Sequence, residues 1–227
     1  MKFLTTALLF LAYSANSQAA GLVEYTSGTA TPTTIAGYTM TDFALTNTGS
    51  NTGTLTSTVA SPISGSLIFK NSSNSLEPMK RELASNISWW NNGESFDYDI
   101  FLADVRLIKI YLPENTRAFS FNVGANVSST SDNAWLTATE SNGSGISTKK
   151  WFNVNQNNTP GFGIYADNSA GACSSSLTSV TIDPYFWGFG NFSINQDDCT
   201  KSVPEASSIY LFGLGMLGLL IMARRKV

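Results

Sequence analysis

The stretch RAFSFNVGA, Arg117–Ala125, places Phe119, Phe121 and Val123 two positions apart, the period with which side chains line one face of a β-strand. That period, and the lack of a competing one, constrains the fold most. Between Gly21 and Lys201 no stretch sustains an amphipathic helical repeat with capping residues at its ends. Short alternating runs recur instead. Val105–Pro113 (VRLIKIYLP) sets Arg106 and Lys109 among apolar neighbours, Phe152 pairs with Val154, and Phe162 pairs with Ile164. Turn-forming clusters separate the runs, at Glu114-Asn115, at Asn142–Gly145 and at Asn157–Gly161. Many short strands with turns at modest spacing predict an all-β ectodomain, an antiparallel β-sandwich of jelly-roll-like form. Leu177–Ile182 and Phe186–Ile194 read as two strands joined in a hairpin through Asp183-Pro184-Tyr185. One helical turn is allowed over Leu76–Ser85. Residues 21–65 are rich in Thr, Ser and Gly, and read either as edge strands with long loops or as loosely ordered chain.

The two ends are of a different kind. Residues 1–20 carry Lys2, an apolar core from Phe3 to Tyr13 and small residues before Gly21. That is the pattern of a secretory signal peptide cleaved after Ala19 or Ala20. At the other end an uncharged run covers about 207–223 and is followed by Arg224, Arg225 and Lys226. At ~1.5 Å per residue it nearly matches the ~30 Å hydrocarbon core, so it reads as one transmembrane helix. The basic cluster holds that end cytoplasmic and places the N-terminus outside. The run contains GLGMLG, Gly213–Gly218, which fits a dinucleotide-binding spacing. Only nine residues follow it, so it has neither the following helix nor the distal acid that such a site needs. The predicted organisation is a signal peptide at 1–20, an ectodomain at 21–202 and a tail at 203–227.

Charge and residue content narrow the chemistry. The ectodomain holds nine basic and fifteen acidic residues, a net charge near −6, which is not the footprint of a nucleic-acid binder. The chain has no histidine, which removes His-based triads, the usual zinc hydrolase sites and His general bases. Two cysteines, Cys173 and Cys199, lie in the exported part. An oxidising compartment favours their pairing, and the predicted hairpin would bring its two ends within bridging reach. The richest acidic stretch spans Glu94 to Asp104. Asp97 and Asp99 would share one face of a strand, as solvated edge-strand acids or as weak ligands for Ca²⁺; no other cofactor or metal is expected. Trp89 and Trp90 would face opposite sides of a strand, filling the core or offering a stacking platform for sugar rings.

The tail resembles the PEP-CTERM sorting signal. Val203-Pro204-Glu205 precedes the Gly- and Leu-rich apolar segment, and the basic cluster Arg224-Arg225-Lys226 closes it. Ala206 stands where that family usually has a second proline. The resemblance implies recognition and cutting by an exosortase, a membrane transpeptidase-like enzyme. Pro204 keeps Val203–Glu205 extended just outside the apolar segment, where such an enzyme could grip it. Gly188–Phe192 (GFGNF) is also similar to the closing segment of β-sandwich domains in PEP-CTERM proteins, with Gly190 where aspartate is usual. Together these readings predict a non-enzymatic exported protein of the cell surface or biofilm matrix, associated with exopolysaccharide. The alternatives are a carbohydrate-binding module and a carboxylate-dependent glycoside hydrolase, which needs two acids facing each other ~5–10 Å apart.

Overall fold

The computed structural model describes residues 20–25, 31–43, 53–90, 98–128, 134–156, 158–167, 173–183 and 187–197. Residues 1–19 of the predicted signal peptide and the whole tail at 203–227 lie outside the described residues. Among those described, no helix is long and apolar enough to cross a membrane. In chain order the strands begin with β1 (Gly21–Tyr25), β2 (Thr34–Ile35), β3 (Tyr38–Thr39), β4 (Thr41–Asp42), β5 (Leu55–Thr56) and β6 (Thr58–Ala60). Then come β7 (Ser66–Lys70), β8 (Met79–Leu83), β9 (Asp99–Ala103), β10 (Ile108–Tyr111) and β11 (Thr116–Ala125). The last are β12 (Ala134–Glu140), β13 (Gly145–Phe152), β14 (Gly161–Tyr165), β15 (Leu177–Asp183) and β16 (Trp187–Gln196).

All strand pairs are antiparallel, as the alternating runs predict. An eight-stranded sheet runs β1-β14-β11-β16-β9-β8-β5, with β4 also paired to β16, and a six-stranded sheet runs β13-β12-β15-β10-β7-β6. The two face each other. Phe69 on β7 meets Phe101 on β9 and Phe189 on β16, with ring centroids 5.4 and 5.2 Å apart, and Phe152 on β13 meets Phe162 on β14 at 4.6 Å. One apolar core therefore draws side chains from both sheets. Each such ring pair adds about 0.5–1.5 kcal/mol beyond the area it buries.

β11 shows what period two captures and what it misses. Phe119, Phe121 and Val123 are fully buried in the core, as their spacing predicts, but Ser120 and Asn122 on the opposite face are fully buried too. The chain folds back over the outer face of the eight-stranded sheet. Glycines there leave room for large side chains to lie on the backbone. A Cβ at Gly124 would fall 2.5 Å from Trp90, and one at Gly163 would fall 2.7 Å from Ile35. A buried polar seam runs between: Ser120 Oγ lies 2.5 Å from Ser193 Oγ, Asn191 Nδ2 donates to Asn122 Oδ1 at 3.1 Å, and Asn122 Nδ2 donates to the Thr159 carbonyl at 3.2 Å.

β16 departs from strict alternation. Its pairing to β11 shifts between Gly190 and Ser193, and Asn191 takes a φ of 55°. This bulge turns Phe189 and Phe192, an odd number of residues apart, toward the same core. The segment Gly188–Phe192 is thus a bulged stretch of a central strand. A Cβ at Gly190 would sit 2.5 Å from the Asp99 carbonyl oxygen and 3.1 Å from Ile100 Cα, so an aspartate there would push β9 away.

Several local expectations are corrected. β15 and β16 do not form a hairpin, because they belong to opposite sheets. β15 is flanked by β10 and β12, and β16 by β11 on one side and by β9 and β4 on the other, so neither offers the other an edge. The helical turn expected over Leu76–Ser85 is instead β8 followed by a 3-10 turn at Ala84–Asn86. The strand expected over Val105–Pro113 is confined to Ile108–Tyr111. In residues 21–65, the described parts are short strands and loops, and Ile35, Phe43 and Val59 are buried.

Candidate functional site

The sorting residues Val203, Pro204, Glu205, Arg224, Arg225 and Lys226 lie outside the described residues, as do Asp97 and Cys199. The other predicted candidates have definite places. Asp99 opens β9, which is an inner strand between β16 and β8. It is fully buried, and its Oδ2 accepts from Arg81 Nε at 2.9 Å and from Arg81 Nη2. Asp99 is therefore neither a solvated edge acid nor poised as a cation ligand. Its charge is matched by a guanidinium on the neighbouring strand, two of whose N–H groups meet the same carboxylate oxygen. Among the described residues no cluster of acids, cysteines or histidines could hold a metal ion.

Trp89 and Trp90 do not lie in a strand. They occupy the turn after Ala84–Asn86, and the two rings meet edge to face at 6.2 Å. Trp90 is fully buried against Ile100 and Tyr98, and its Nε1 donates to Tyr98 Oη at 2.8 Å. Trp89 is half-buried on the same cluster. The pair is a cover over Gly124 and Gly188; of the two expectations for these positions, core filling holds and an exposed stacking platform does not. An indole wedged onto glycine and held by a hydrogen bond is not available to a sugar.

The other buried carboxylates are likewise engaged. Glu82 pairs with Lys80 at 2.8 Å, and Glu140 accepts from Ser144 Oγ at 2.5 Å and from the Asp167 amide at 2.6 Å. Among the described residues no cysteine is free, and Cys173 is disulfide-bonded.

The accessible functional chemistry sits on the outer face of the six-stranded sheet. Trp135 on β12 and Trp151 on β13 are direct cross-strand partners. Trp151 is 51% exposed, whereas Trp135 is 9% exposed and lies under Lys149, whose Nζ is 4.0 Å from its ring centroid. Further along the sheet, Lys109 on β10 stands opposite Lys70 on β7. Both ammonium groups approach the Tyr111 ring, at 4.7 and 4.8 Å, and Tyr111 Oη donates to Asn74 Oδ1 at 2.8 Å. The scattered positions of Trp135 and Trp151 hide this grouping in the sequence. The turn does not reveal it either: the register next to the turn, Thr139 opposite Gly145, would set Trp135 against Lys149, and the irregularity between Leu136 and Ala138 brings Trp151 there instead.

The PEP-CTERM protein-sorting motif model matches residues 202–226 of the chain. No curated protein matches the chain, and no solved structure does.

Proposed function

Because the chain carries a PEP-CTERM protein-sorting motif, the mark of an exported protein that an exosortase-type enzyme sorts to the cell envelope, we propose that it is a non-enzymatic component of the cell surface or extracellular matrix. The observation that carries this reading is the motif itself: Val203-Pro204-Glu205, an apolar segment and a terminal basic cluster, in that order. In this reading the precursor is held by one helix at about 207–223 with its N-terminus outside. Cleavage near Pro204–Glu205 then releases the two-sheet β-sandwich to the surface. The buried, engaged carboxylates Asp99, Glu82 and Glu140 suit a scaffold rather than a hydrolytic centre.

The same reading pairs Cys173 with Cys199, although the predicted hairpin is absent. The Ser175 carbonyl accepts from Arg117 Nη1, and the Asp197 amide donates to the Asn115 carbonyl at 3.2 Å. Asn115 and Arg117 are two residues apart, about 7 Å at most, so both flanks converge at the start of β11, close to the separation a disulfide needs.

Mass spectrometry of the mature protein from its native host tests the sorting reading. A C-terminus near Pro204–Glu205 is expected, and an intact end at Val227 overturns it. The second reading, a carbohydrate-binding module, is favoured by the exposed Trp151 beside Trp135.

A further inference from the structure

We propose that the outer face of the six-stranded sheet binds an anionic polysaccharide, a carboxylated sugar polymer, with Trp151 as the stacking surface and Lys149, Lys109 and Lys70 as the counter-charges. The proposal deepens the surface-protein reading and rests on it only for the exported compartment.

The first observation is electrostatic. The ectodomain is acidic, with nine basic against fifteen acidic residues, yet four of the nine, Lys70, Arg106, Lys109 and Lys149, are grouped along this one face. Asp183, an acid that the register places here, is already held by Arg106 at 3.2 Å. Lys70 and Lys109 are directly opposite in adjacent strands and share the Tyr111 ring. Like charges in that relation destabilise a sheet. The protein tolerates the repulsion where a bound anion would relieve it.

The second observation is the exposed indole. Lysines on an edge strand guard against edge-to-edge pairing, which accounts for Lys149 and Lys150 on β13. It does not account for Lys70 and Lys109, because β7 and β10 are inner strands. Nor does it account for a half-exposed Trp151 on the same face of the sheet. From β13 to β7 is four strand spacings, about 19 Å, which leaves Trp151 and the Lys109–Lys70 pair reachable by one extended polymer. The strip between them carries the hydroxyls of Thr137 and Thr181, in register with Lys109. A sugar ring presents a C–H face to an indole, and its carboxylate and hydroxyl edges suit ammonium groups and threonines. A flat sheet face with indole, hydroxyls and lysines in one row therefore matches a chain of acidic sugars. Among the described residues the outer face of the other sheet offers no such row, because Trp90 and Ile35 lie on its glycines.

The experiment uses the full chain in nonionic detergent, by affinity electrophoresis in gels containing polygalacturonate or neutral dextran. Retardation by polygalacturonate and not by dextran is expected, and it should weaken as ionic strength rises. Trp151→Ala and Lys109→Gln should each lower the affinity about tenfold, with melting temperatures near that of the parent. Leu55→Ser, on the other sheet and 68% exposed, should leave it unchanged. Equal retardation by dextran overturns the proposal. So does unaltered affinity in the Trp151 and Lys109 variants, or stronger binding to single-stranded DNA or to phosphatidylcholine–phosphatidylglycerol vesicles than to polygalacturonate. The gel reads the face alone, so an uncut tail in the host leaves its result standing, and a failed gel leaves the sorting reading standing.

Discussion

Gly190 offers a sharp test of how tightly the centre of the eight-stranded sheet is built. In Gly190→Ala the new methyl would lie 2.5 Å from the Asp99 carbonyl oxygen, 2.9 Å from Ile100 Cγ2 and 3.1 Å from Ile100 Cα. Two of these three obstacles are backbone, so relief requires β9 to move away from β16. Β-strand propensity pulls the other way, since glycine inside a strand costs about 0.5–1 kcal/mol relative to alanine. Overpacking of a tight site costs about 1–3 kcal/mol, with backbone obstacles toward the upper end. The net loss should be about 2 kcal/mol, equivalent to a fall in melting temperature of roughly 4–8 °C for a domain of this size. Gly163→Ala is the built-in control. Its nearest obstacle at 2.7 Å is the Cδ1 end of Ile35, a flexible tip that can rotate, so its loss should be small. Thermal unfolding followed by circular dichroism decides between them. A Gly190→Ala protein that melts with the parent, or above Gly163→Ala, would refute the reasoning.

Other expectations follow from the same structure. Arg81→Ala strips the partner from fully buried Asp99 and should cost about 3–5 kcal/mol by chemical denaturation, while Arg81→Met with Asp99→Leu should recover much of the loss. Trp90→Ala should cost about 3–5 kcal/mol, whereas Trp151→Ala, truncating a 51% exposed ring, should cost about 1 kcal/mol, the worth of its cross-strand pairing with Trp135. Cys173→Ser opens a loop of about 26 residues and should cost about 3.5 kcal/mol by chain entropy. Reduction of the parent should reproduce that loss, and a non-reducing digest should link the Cys173 and Cys199 peptides. A reductant-insensitive parent would speak against the bridge.

The strands that sequence reading placed well are those whose alternation is undisturbed. Phe119, Phe121 and Val123 point into one core because the extra residue of the register shift beside them lies on β16, which leaves the alternation of β11 itself intact. β16 defeats a simple period because the bulge at Asn191 inserts a residue between Phe189 and Phe192. Nearness in sequence misled at β15 and β16, which are consecutive yet belong to different sheets; a short connection suggests a hairpin but does not require one. Asp99 looked solvated because its partner Arg81 lies 18 positions away on β8, a pairing that sequence spacing does not reveal. The burial of Trp90 was one of two readings left open, because no pattern announces that Gly124 leaves a slot for an indole. The Trp135–Trp151 pair was hidden as well, since the register next to the turn sets Trp135 opposite Lys149 and only the irregularity between Leu136 and Ala138 brings Trp151 across from it.

The topology also orients the two ends of the domain relative to each other. On β15, Ser179 is in register with Tyr111 and Thr139, and Asp183 with Trp135. From Thr139 to Trp135 is four residues, about 14 Å along the strand. The chain leaves β16 at Gln196, in register with Thr116, and Asp197 is tied to Asn115; Thr116 and Tyr111 are joined by only Leu112–Asn115, so this exit lies at the Tyr111 end of the sheet. Cys173 belongs to that end as well, since Ser175 is held by Arg117. The Trp135–Trp151 pair lies at the other end. A domain tethered through its C-terminal tail would therefore turn its aromatic pair away from the attachment point, with Lys109 and Lys70 side by side across the sheet two residues nearer the tether. If the proposed sorting route holds, a polymer would reach the stacking surface both before and after removal of the tail, and cleavage would not be needed to unmask the face.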